Sequence, residues 1–204
     1  MPNIDEIAKT WELELSRRVG LAVQARRKAL GLTAQQLAER TKDLGYHVTR
    51  VAISKIEGNL RAGKLDIAEL LVLALALDIP PALLVFPGYP EGSVEVVPGR
   101  TADSGSAVNW LGGRSSDRQV APDNDGTTLV EAVTERPGLS SDVFELQKRR
   151  NDGSWSGQVF DLMEREQNAK LATTEERIVR TRDQLWGSGV AELDTQLAKG
   201  NSHG

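Results

Sequence analysis

Few residues in this chain have the types that acid–base, thiol or metal chemistry requires. Among 204 residues there is no cysteine and there are two histidines, His47 and His203, far apart in sequence. Neither a metal-ligand cluster nor a nucleophile with its base can be assembled from them. Adjacent carboxylates such as Glu175 and Glu176 diverge on a helix instead of converging on one reacting atom. No glycine-rich phosphate cradle is present. The expectation is a protein that is not an enzyme and has no metal and no cofactor, with His47 a turn residue.

The chemistry that remains is cationic and local. Net charge is −4, yet residues 12–66 carry 11 Lys and Arg against 6 Asp and Glu, while residues 67–128 carry 3 against 8. A basic segment inside an acidic chain suits neutralisation of phosphates, the part of nucleic-acid binding that ignores sequence. Within it, Arg50, Val51, Ser54 and Lys55 share the outer side of a short helix if Ile53 and Ile56 face inward. Arginine and lysine can donate to guanine O6 and N7, and Val51 can touch a thymine methyl.

The elements that must hold those four side chains are legible around them. Thr33 and Gln36 have capping-box spacing, which starts a helix at Ala34 with Leu37, Ala38, Thr41 and Leu44 inward. Gly45 can end it in a left-handed conformation, and Thr49 can cap the helix that follows. Upstream, residues 1–11 read as a leader before a first helix from about Trp11 to Leu30, with Leu15, Val19, Val23 and Leu30 inward and Arg17, Arg18, Arg26 and Lys28 solvated. Downstream, Asp66 and Glu69 cap a fourth helix. Ile67, Leu70, Leu71, Ala74 and Leu77 form its buried face, widened by Leu73 and Leu75. Pro80 and Pro81 suit the start of a fifth, over residues 82–86.

Gly31-Leu32-Thr33, Leu37-Ala38, Thr49, Ile53-Ser54-Lys55-Ile56-Glu57 and Glu69-Leu70-Leu71 together resemble the helix-turn-helix of the phage repressor and Cro type, the XRE family, over about residues 15–87. The resemblance implies an all-α fold whose first domain, residues 11–88, is a five-helix lambda-repressor-like unit with helix 3 in the major groove. It implies base contacts from Arg50, Val51, Ser54 and Lys55, and phosphate contacts from Thr33, Gln35, Thr49, Arg61 and Lys64. It also implies an internal ion pair between Arg27 and Glu57. Two departures stand out. Ala34 occupies a position where the family often has glutamine, with Gln35 adjacent, and the span from Ala38 to Thr49 is several residues longer, which an extra helical turn before Gly45 would absorb. The implied function is a sequence-specific transcriptional regulator of double-stranded DNA, a repressor acting as a homodimer in the cytoplasm, at the nucleoid of a bacterium or on a phage genome. An alternative keeps the fold but makes it an antitoxin-like or scaffold module that binds a protein partner through its C-terminal helices, with incidental DNA contact.

Residues 89–128, rich in Gly, Ser, Asp and Pro, read as a tether with two islands, SVEVV as a short strand and AVNWL as a helical turn or a docking patch. Residues 129–198 read as a helical region for oligomerisation or partner binding. There, Pro137-Gly138 should end a short segment from Leu129, and Ser140 or Ser141 should cap a helix with Val143, Phe144 and Leu146. Val159, Leu162, Met163, Ile178, Leu185 and Trp186 suit an antiparallel helix pair or dimer arm, with Lys148, Arg149, Arg150, Arg177, Arg180 and Arg182 as helix surface and not a second DNA site. The longest apolar run, residues 70–77, falls well short of the ~20 needed to span a bilayer, and the N-terminal residues do not read as a signal peptide, so no membrane role is expected.

Overall fold

A mid-helix glycine lets two helices of the structure approach closely. The computed structural model describes residues 4–114, 120–153, 155 and 157–187. Within it α1 (Ile4–Ala29) crosses α3 (Arg50–Glu57) at Gly20, where a Cβ would lie 3.1 Å from the Ile56 carbonyl carbon and closer still to its oxygen. Val19 and Val23 are thereby fully buried against Leu37 of α2 (Ala34–Asp43), Ile53 of α3, Leu73 and Leu77 at α4 (Ile67–Ala76) and Leu84 of α5 (Pro81–Val85). α1 packs on α3 and α5, and α2 packs on α3 and α4.

The helix starts follow from side-chain caps. Thr33 and Gln36 make both bonds of the capping box, Thr49 accepts from the Ala52 amide, and Asp66 accepts from the Glu69 amide. Each satisfies amides that the first turn of a helix leaves without partners. At the other end of α2, Gly45 adopts φ 86°.

Several expectations are corrected. α1 begins at Ile4, seven residues before Trp11, because its first turns brace the loop after α3: Lys9 donates to the Ala62 carbonyl (2.6 Å), and the Glu12 side chain lies against Gly63. Leu44 is the C-cap of α2 and is exposed, and the extra length before Thr49 is taken up by α2 as far as Asp43 and by residues 44–49. On α4, Leu73, Ala74, Ala76 and Leu77 are buried, whereas Ile67, Leu71 and Leu75 face outward. A helix apolar all round gives no signal of which side the neighbours cover.

Residues 89–112, expected as part of a tether, are folded. β1 (Ser93–Val97) pairs antiparallel with β2 (Arg100–Asp103) around Gly99, and α6 (Ser104–Leu111) follows. Phe86, Val94, Val96, Ala102, Ala107 and Val120 form a second buried cluster. Arg18 of α1 reaches this part of the unit, donating to the Val85 carbonyl (2.8 Å) and lying 5.5 Å from the Phe86 ring centre. Burial holds its pKa below the ordinary arginine value. Glu14 and Glu95 oppose that shift by favouring the charged form, as does the ring face, while Nη2 is buried without a hydrogen-bond partner.

The second compact unit is a pair of helices, α7 (Asp125–Asn151) and α8 (Gln158–Trp186), which run antiparallel. Arg150 meets Asp161 and Glu164 near the closed end, and Glu135 meets Arg177 toward the other. α7 passes through Pro137-Gly138 without a break, correcting the expected end there. Both residues are exposed, and the turns on either side, with Ala132 and Val143 buried, sustain the helix despite the bond that proline removes. Val159 and Leu162 of α8 are exposed, while Phe160 and Ile178 supply its buried apolar contacts. His203 and the part of the expected helical region beyond residue 187 lie outside the described residues.

The chain is thus mostly helical, with one two-stranded sheet among the described residues. None of its described helices is long and apolar enough to cross a membrane.

Candidate nucleic-acid interface

α3 is short, and two opposed faces divide its residues. Ile53 and Ile56 are buried, and Ala52 is half-buried; Arg50, Val51, Ser54 and Lys55 are exposed. The inward pair fixes the rotation of the helix, so the four candidate readers lie on its outer side as the spacing implies. Arg50 and Lys55 have no ion-pair or side-chain hydrogen-bond partner among the described residues.

The frame that holds α3 is rigid where it matters. Arg27 donates through Nε and Nη2 to the two oxygens of Glu57 (2.7 and 2.8 Å), and through Nη1 to the Leu32 carbonyl (2.6 Å). One guanidinium therefore ties the end of α1, the end of α3 and the approach to α2. The two side chains are 12% and 7% exposed, and the bond to Glu57 holds the Arg27 pKa above its ordinary value against the opposing effect of burial. In a site so dry, either charge alone would be costly.

The phosphate candidates divide by what their polar atoms already do. Thr33 Oγ1 accepts from the Gln36 amide and donates to Gln36 Oε1, so its proton is engaged within the cap. Thr49 Oγ1 only accepts, from the Ala52 amide, and its proton remains available. Gln35 is exposed and bonded to Glu39 (3.2 Å). Arg61 is tied to the Glu69 carboxylate through both terminal nitrogens, with side chains 24% and 15% exposed. It therefore does not stand free for phosphate, in contrast to Lys64, which is exposed in the same loop. Spacing alone did not reveal the Arg61 pairing because Glu69 was already accounted for as a capping residue.

Other arginines of the basic segment are likewise engaged. Arg26 donates to the Leu77 and Asp78 carbonyls, and Arg40 to the Ala76 carbonyl, which places two cations at the C-terminal end of α4, where the helix dipole favours them. Arg17 pairs with Glu14 and Lys28 bonds to Gln24. The expected solvated face of α1 is thus partly structural.

Gly20 is a residue that the sequence reading missed, although it positions α3. Its signal was present: a glycine in the middle of a helix costs ~1 kcal/mol relative to alanine and calls for a packing reason. Neither a family model, nor a curated protein, nor a solved structure matches this chain.

Proposed function

We propose that the protein is a sequence-specific regulator of transcription that binds double-stranded DNA through the outer face of α3, in the manner of the phage repressor and Cro helix-turn-helix that its residues 15–87 resemble. One observation carries this reading. Of the 11 cations in residues 12–66, all but Lys42, Arg50, Lys55 and Lys64 are engaged within the chain, and three of those four lie on α3 and the loop that follows it. The free charge is concentrated where the base-reading face and its flanking phosphate contact would be.

In this account, Arg50 and Lys55 donate to guanine edges, Val51 and Ser54 fill the groove between them, and Lys64 and Thr49 contact phosphates. A two-fold dimer would require inverted half-sites with centres about 34 Å apart. Binding measured by fluorescence anisotropy at several salt concentrations tests the reading, because the logarithm of affinity should fall with a slope of about −0.9 per phosphate contact. Salt-independent binding, or none, would remove it.

The exposed apolar side chains of the helix pair favour a second reading. Phe144, Val159 and Leu162 are 67%, 74% and 66% exposed, as a protein-binding scaffold or an antitoxin-like module would require. Loss of a captured protein partner on Val159→Lys, with no DNA affinity at low salt, would select it.

A further inference from the structure

The outward side of α4 is uncharged and apolar along its length. Ile67, Leu71 and Leu75 repeat at every fourth residue and are 75%, 53% and 68% exposed. That spacing places them on one helix face over roughly 12 Å of axis. Together they present roughly 350 Å² of contiguous aliphatic surface, within the size range of the largest apolar patch on a soluble domain, which is often functional. From Ile67 to Leu77 the one ionisable side chain is Glu69, and Arg61 neutralises it. The exposed acids Asp66 and Asp78 bracket the stripe.

We propose that this face is the contact between two copies of the chain, with α4 packing on α4 across a two-fold axis. Such an axis sets a patch against itself, so every charge on the patch would meet its like. A stripe without charge pairs with itself free of that repulsion. Two copies would bury roughly 700 Å² of aliphatic side chain. That is about half of the 1,200–2,000 Å² of a standard interface, which leaves the remainder to a polar rim. Helices that cross with ridges in grooves touch at the middle of the stripe and diverge beyond it, which keeps the bracketing acids apart. The inference stands apart from DNA binding, because self-association is read without nucleic acid and either can fail alone.

Sedimentation velocity of the full chain, from micromolar to a few hundred micromolar, tests it. The native protein should dimerise. Leu71→Glu and Leu71→Lys, at the middle of the stripe, should each raise the dissociation constant by about 100-fold or more, because like charges would face one another across the axis. Their circular dichroism should match the native protein, since Leu71 is more than half exposed. An equimolar mixture of the two variants should restore the dimer. A native chain that stays monomeric would overturn the proposal, as would Leu71 variants that still dimerise or a mixture that stays monomeric. Loss of the dimer on Leu162→Glu but not on Leu71→Glu would also overturn it, by placing the contact on the helix pair.

Discussion

Removing Arg27 or Glu57 is the sharpest test of how α3 is held, because the two changes leave different things behind. Arg27→Ala leaves the Glu57 carboxylate, 7% exposed, without its partner and strips the Leu32 carbonyl of its donor. An uncompensated charge in so dry a place costs about 3–5 kcal/mol, and the carbonyl adds about 1 kcal/mol. Glu57→Ala leaves Arg27, which keeps its bond to Leu32 and has a long stem that can turn its head to water, so about 2–3 kcal/mol is expected. The double change removes both charges and should cost about what Arg27→Ala costs alone, giving a coupling of at least ~2 kcal/mol. The two compact units need not unfold together, so a single melting curve is the wrong assay. Hydrogen exchange at the Val23 and Ile53 amides reports on the unit concerned. Additive losses at both amides would show that the two side chains do not support each other.

Gly20→Ala should destabilise the same amides by about 1–3 kcal/mol, because the added methyl meets the Ile56 carbonyl and not a side chain that can turn away; exchange rates equal to those of the native protein would mean that α1 and α3 do not touch there. Lys64→Ala should weaken binding to operator and random DNA alike and flatten the salt slope by about one, whereas Arg61→Ala should lower stability and leave that slope unchanged; titrations of both variants at several salt concentrations check the pair. Asp103 accepts from the Ser106 amide at the start of α6, and this bond is the first cause holding its carboxyl below the ordinary 3.8. A depressed carboxyl contributes stability above its ordinary value and loses it as pH falls through the folded one. The Ser106 amide shift should therefore titrate with a midpoint below 3.8, and a midpoint at or above that value would contradict the cap.

Caps and inward stripes were legible in the sequence because they are local. Thr33, Thr49 and Asp66 each act within three residues, and Ile53 with Ile56 orients a helix too short to drift. What escaped depends on distant partners. Arg18 and Phe86 help to order the strand pair and α6 within a stretch whose composition resembles a tether, and α1 extends to Ile4 because Lys9 finds a carbonyl 53 residues away. Pro137 carries a strong local signal for a helix end, and packing along α7 outweighs it. α4 failed for the opposite reason, since a surfeit of leucines hides which of them is covered. Within the candidate interface, the free cations could be placed on α3 from periodicity alone, but the pairing that withdraws Arg61 could not.

The most direct test of the central claim is selection of bound sequences from random duplex oligonucleotides, run in parallel on the native chain and on Arg50→Ala. The native protein should enrich one motif, with guanine at a defined position of each half-site. The variant should enrich the same motif with that position relaxed, a loss of discrimination of about 1–3 kcal/mol at one base pair. An identical motif from both proteins would show that α3 does not read the bases, and no enriched motif from the native chain would contradict sequence-specific binding altogether.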